Sequence, residues 1–444
     1  MSRQKGWRPF SPTHFDLQAS LPEPGALRPL VAGALLAILV AVAGASSSQA
    51  ASAVTSGANR ARLQDTQLIS RAAITTSAGR EFPNGPSSNP AISNDKRYAR
   101  LIAFESEASN LVPGDSDGVR DVFAVKRAGP IGNKGAPWRL GATILVSRTR
   151  SGQPANGPSF SPAVDGAFHH RPSCVAFLSA ASNLVPGDTN GKVDAFVSRG
   201  PGRPPTRVSL PGGRQASYDT TSVAVSGDCK QIAFTVGGSL YVRVKAHRPR
   251  LVALGGSDPS YSRGLRNDLV FAAPRGVFLS RNGTGRPRLV GPGGRNPAYN
   301  DIKRRVVVYE KTLHGHAQIV YRDLGRRERM VSFRRGVPGN GDSRNPTIGN
   351  AGYYITFESD ASNLGVNALS REGDFNGKPD VYLYTNVRNI TLVQSVAEKA
   401  VPLPGGGENP SMSFYANYIL FDSPAPLGGQ DGPHQIFMRY LGPV

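Results

Sequence analysis

Seven times along the chain a short apolar segment recurs behind the same polar punctuation, which leaves few folds open. The copies read Asn89-Pro-Ala-Ile-Ser, Gly157-Pro-Ser-Phe-Ser, Ser222-Val-Ala-Val-Ser, Asp258-Pro-Ser-Tyr-Ser, Asn296-Pro-Ala-Tyr-Asn, Asn345-Pro-Thr-Ile-Gly and Asn409-Pro-Ser-Met-Ser. Each is followed by a second strand that ends on an aromatic, such as Ile102-Ala-Phe104, Ile355-Thr-Phe357 or Ile419-Leu-Phe421. A third follows, as in Val122-Phe-Ala-Val125 or Ile436-Phe-Met438. Repeats of this size made only of short strands predict a β-propeller, with one small sheet per repeat.

The fourth strand fixes the count and the closure. Repeats one to six end in segments such as Thr143-Ile-Leu-Val-Ser147 and Ile390-Thr-Leu-Val393, whereas the seventh runs out of chain at Val444. Its missing copy, Thr66-Gln-Leu-Ile-Ser70, stands ahead of the first repeat. The expectation is an all-β, seven-bladed propeller of four-stranded antiparallel blades over residues 65–444, closed by an N-terminal strand that hides the open edges. The 51 Gly and 36 Pro are then the punctuation of many tight turns.

The phrasing Asn-Pro-x-Ile-Ser, x-Ile-Ala-Phe, Asp-Val-Phe and Leu-Val-Ser resembles the TolB-like (WD-like) propeller repeats of exported bacterial proteins. Its clearest copies are Ala108-Ser-Asn-Leu-Val-Pro-Gly-Asp115 and the identical segment ending at Asp188. The resemblance implies the fold; such propellers serve as docking platforms, enzyme domains and envelope parts alike.

Residues 1–50 read as an export signal. Arg3, Lys5, Arg8 and Arg28 outweigh Asp16 and Glu23, and an apolar run of 14 residues over 30–43 precedes small residues suited to cleavage. A cleaved signal peptide and a retained N-terminal membrane anchor helix both fit; residues 51–64 then form a linker. Either way the propeller is expected outside the cytoplasmic membrane, secreted or anchored. The only cysteines, Cys174 and Cys229, lie in neighbouring repeats at non-equivalent positions, so a disulfide and two buried thiols both stay open.

Charge is uneven. The chain carries +21, yet residues 197–340 alone hold 26 basic and 8 acidic side chains. Arg248, Arg250, Lys303, Arg304, Arg305, Arg326 and Arg327 form a candidate surface for an anionic wall or membrane polymer; the alternative is arginine-rich decoration of solvated turns. Nucleic acid is disfavoured, because the aromatics occupy strand positions that must pack.

Three loops between second and third strands share an acidic pattern: Asp115, Asp117 and Asp121; Asp188, Asn190 and Asp194; Asp374, Asn376 and Asp380. Oxygen ligands around a curling Gly suit calcium. The same spacing also makes a plain hairpin turn.

No catalytic residues are assigned. The remaining feature is a polar residue at the start of each inner strand: Asn89, Ser222, Asp258, Asn296, Asn345 and Asn409, with Gly157 as a gap. These side chains are expected to converge at one mouth of the central channel, to bind a ligand or simply to cap turns. The leading reading is therefore an exported, non-enzymatic binding or scaffold protein of the cell envelope, monomeric, with a protein or an anionic polymer as its ligand. The alternative is a lactonase-, glycosidase- or lyase-type propeller enzyme with a channel-centred site.

Overall fold

The second strands set the architecture. All six residues of Leu101–Ser106 and of Gln231–Val236 are buried, which requires both faces of the sheet to be covered by other sheets. In the computed structural model, seven four-stranded antiparallel sheets stand in that arrangement. The structure describes residues 66–73, 82–129, 136–264, 266–364, 376–386, 390–396, 403–427 and 430–442. The leader, the linker and Asp374 lie outside the described residues.

Blades are numbered here along the chain, and their inner strands are Ser87–Ile92, Ser159–Val164, Thr220–Val225, Ser257–Tyr261, Gly294–Asn300, Ser343–Gly349 and Glu408–Met412. Within five blades the aromatic of the second strand stacks on one of the third, Phe104 on Phe123, Phe177 on Phe196, Phe234 on Tyr241, Phe271 on Phe278 and Phe357 on Tyr382, and in blade 7 Phe421 meets Phe437 at a tilt. Each such pair contributes roughly 0.5–1.5 kcal/mol beyond its buried area.

The seventh blade takes its outer strand from the N-terminal end of the repeat region. Thr66, Gln67 and Leu68 pair with Arg439, Met438 and Phe437. The Ser70 hydroxyl then donates to Gln435 Oε1 at 2.8 Å and accepts from the Ile436 amide at 3.0 Å.

Every inner strand carries one extra residue against its partner, a β-bulge. In six blades the residue just before the proline has a left-handed backbone, with φ between 44° and 52° at Asn89, Ser161, Asp258, Asn296, Asn345 and Asn409. Asn and Asp tolerate this region better than most residues. Blade 2 corrects the sequence reading: Gly157 precedes the inner strand, and Ser161-Pro162 fills the bulge, since Ala163 pairs with Ala176. Two Pro residues four apart made both registers legible, and only the cross-strand partner chose between them.

Cys174 and Cys229 form a disulfide that ties blade 2 to blade 3, with Cα atoms 6.2 Å apart. Cys174 stands just before the second strand of blade 2 and Cys229 in the turn ahead of that of blade 3, and these non-equivalent positions bring the two Cα atoms within bonding range. Blade 5 adds a small hairpin, Phe333–Arg334 with Val337–Pro338, that the repeat pattern does not foretell.

Because the strands alternate in direction, the loops sort onto two faces. Loops entering each inner strand and those joining second to third strands share one face. Loops joining first to second and third to fourth strands share the other.

Candidate functional site: the channel and its two faces

Inner strands line a channel. At its mouth a cavity of about 310 Å³ is bounded by Asn89, Ser161, Asn296, Asn345 and Asn409 with Pro90, Pro162, Val223, Pro346, Thr347 and Pro410. Four of the amides named from sequence thus converge, and Ser161 takes the place given to Gly157. Ser222 turns aside to donate to Thr235 Oγ1 at 2.9 Å. Asp258 is exposed and accepts from the Ser257 hydroxyl at 3.1 Å.

The amides are engaged by carboxylates that the repeat comparison missed. Glu358 Oε1 accepts from Asn345 Nδ2 at 3.0 Å, and its Oε2 accepts from the backbone N–H of Asn409, in the next blade, at 2.7 Å. Glu310 repeats the arrangement with Asn296 Nδ2 (2.8 Å) and the Asn345 N–H (2.9 Å). Glu105 does so with Asn89 Nδ2 (2.9 Å) and the Ser161 N–H (2.7 Å). Each glutamate clasps its own blade to the following one. Burial, above all, raises the Glu358 pKa from its ordinary value. The available signal was the acid directly behind the second-strand aromatic, in Phe104-Glu105, Tyr309-Glu310 and Phe357-Glu358.

Blade 7 has Asp422 at that position, one methylene shorter. Asp422, Glu408 and His434 each offer a ligand atom within 4.8 Å of the others. His434 Nδ1 lies 3.0 Å from Asp422 Oδ2, while Asp422 Oδ1 is buried without a hydrogen-bond partner. This group adjoins Asn409 on the mouth side.

Deeper, a second cavity of about 270 Å³ is lined by Ile92, Val164 and Val225 among other inner-strand residues and by Arg263. Burial pushes the Arg263 pKa down to about 10, and its Nε has no acceptor.

Arg263 marks the opposite face, where the basic loops gather. Lys303, Arg304 and Arg305 lie between the first and second strands of blade 5; Arg326 and Arg327 lie between its third and fourth. Arg248 occupies the corresponding outer loop of blade 3, and Arg250 begins that blade's outer strand. Arg304 and Arg326 both reach Asp323, at 2.9 and 3.6 Å. Arg248, Arg250, Lys303, Arg305 and Arg327 are exposed, and no ion pair is found for them among the described residues. Exposed Leu251 and Leu289 on the outer strands of blades 3 and 4 flank this sector.

The acidic loops lie on the mouth face and differ from one another. In blade 2 the Arg207 guanidinium fills the loop, with Nη1 2.8 Å from Asp188 Oδ1 and 3.0 Å from Asp194 Oδ2; Asn190 Nδ2 also donates to Asp194. In blade 1, Asp115, Asp117 and Asp121 each offer a carboxylate oxygen within 4.8 Å of the others. Burial first, then the neighbouring Asp117, raises Asp115 to about 6; Asp121 is raised to about 8, chiefly by burial. Of the blade 6 set, Asn376 Nδ2 donates to the Leu403 carbonyl at 3.0 Å and Asp380 accepts from the Ser395 hydroxyl.

No family model and no curated protein matches the chain. Solved structures similar to it include the β-propeller domain of the Trilobed protease from Pyrococcus furiosus, at 9% identity over 81% of this chain and 94% of that one, with a TM-score of 0.47. An oligogalacturonate lyase in complex with manganese shares 10% identity over 86% and 98%, again at 0.47. A putative TolB from Agrobacterium tumefaciens shares 15% over 53% and 93%, at 0.35. Likeness at this level carries no functional information.

Proposed function

We propose that this protein is an exported, non-enzymatic binding protein of the cell envelope, built on TolB-like repeats, whose basic face docks an anionic polymer. The observation that carries the reading is the sorting of charge. Arg248, the pair Lys303 and Arg305, and Arg327 come from three separate loops, yet the alternation of strands delivers them to one face, and no ion pair is found for them among the described residues. A one-sided positive field attracts polyanions and orients them on approach. The clasped mouth supports the same reading, because its amides are committed to holding blades together. Replacing Arg248, Arg305 and Arg327 by Glu is expected to abolish low-salt binding to anionic liposomes or wall polymer. Replacing Arg150, Arg214 and Arg275, exposed on the mouth face, leaves most of it. Equal losses from the two sets reduce the effect to bulk charge and overturn the reading.

One observation favours a second reading, a channel-centred enzyme: the Glu408, Asp422 and His434 group supplies two acids and an imidazole at the rim. Turnover of lactone, glycoside or uronide substrates that His434→Ala abolishes is its test.

A further inference from the structure

We infer that the blade 1 loop is a divalent-cation site of calcium type, held by Asp115, Asp117 and Asp121, and that Arg207 occupies the equivalent position in blade 2. The two loops stand in the same strand register. Asp121 and Asp194 each stand two residues before the stacked aromatic of the third strand, Phe123 and Phe196, and each accepts a serine hydroxyl at 2.5 Å, from Ser147 and Ser209. Phe196 pairs with Arg207, and Phe123 pairs with Leu145. Blade 2 therefore places a guanidinium between its acids where blade 1 places an alkyl chain.

The consequence is an uncompensated set of oxygens. Asp115 is 3% exposed and Asp121 fully buried, and Asp115 Oδ1 and Asp121 Oδ2 are buried with no hydrogen-bond partner. An ionised carboxylate out of water is costly unless paired or bound to a metal. A hard cation satisfies such oxygens directly, taking carboxylates together with backbone carbonyls and water. The position of Arg207 shows that this loop geometry accommodates positive charge. The acidic pattern alone did not separate the two loops; the partner across the outer strand does.

The test uses the full chain, calcium chloride as the added metal and a calcium chelator as its opposite. Wild type is expected to melt higher in calcium than in chelator and to give a saturable calorimetric signal. Asp115→Asn and Asp121→Asn each lose one equivalent of bound calcium. Arg207→Leu, which copies blade 1 into blade 2, gains one equivalent and becomes the more calcium-dependent protein in melting. This gain guards against variants that merely misfold. Identical melting of the wild type in calcium and chelator, with no calorimetric heat, overturns the proposal. So does wild-type stoichiometry in both the asparagine variants and Arg207→Leu.

Discussion

Asn296 of blade 5 donates its side-chain amide to that of Asn345 in blade 6, Nδ2 to Oδ1 at 2.9 Å, so two residues 49 apart in sequence join neighbouring sheets at the channel mouth. Asn345 in turn donates to Glu358, whose other oxygen holds the backbone of blade 7. Adjacent blades share no strand, so beyond apolar packing they depend on such polar contacts and on loops. The ring is accordingly expected to fail at its closure and at these clasps.

Removing residues 1–70 deletes the outer strand of blade 7 and strips the partners of Phe437, Met438 and Arg439. The exposed edge destabilises the whole ring. Calorimetry is expected to show a large drop in Tm, whereas removing residues 51–64 alone leaves Tm unchanged. Equal Tm values for the two deletions contradict closure by this strand.

The Cys174–Cys229 disulfide closes a loop with a sequence separation of 55. Chain entropy assigns such a loop about 4 kcal/mol. The double Cys→Ala variant should lose stability of that order in urea titration, and a reductant should lower the midpoint of the wild type but leave that of the variant.

Glu358 sits in the clasp with its pKa raised, first by burial, above the ordinary 4.5. A group that binds its proton more tightly when folded contributes stability below its unfolded pKa, and that contribution is lost as pH rises through the folded value. Between about pH 4.5 and neutrality, Glu358→Gln should show a shallower decline in unfolding free energy than wild type, read from denaturant midpoints at several pH values. A parallel pH profile rules the carboxyl out as the source.

Asn345 combines a φ of 51° with its clasp bonds. Asn345→Gly loses the amide but relaxes the left-handed backbone; Asn345→Ala loses the amide and keeps a Cβ there without the polar side chain that makes Asn tolerant of the region. Alanine should cost about 1 kcal/mol more than glycine, measured by chemical denaturation. Equal costs would place the whole effect in the side chain.

Periodicity alone determined the blade count, the all-β class and the closing strand, because each repeat buries the same alternating apolar positions and punctuates them with the same turns. It also brought Asn89, Asn296, Asn345 and Asn409 to the mouth, since the same offset from the same strand places them equivalently around a ring. Tertiary structure decided what periodicity does not contain. Ser161 rather than Gly157 completes blade 2, because cross-strand pairing chose between two local prolines. Glu105, Glu310 and Glu358 became clasps only when the next blade's backbone arrived against them. Cys174 and Cys229 met, and Arg207 reached Asp188 and Asp194, through contacts between different strands and blades. Sequence spacing records what lies along a strand; partners across strands and blades depend on register and on where the ring closes, and these are properties of the folded chain.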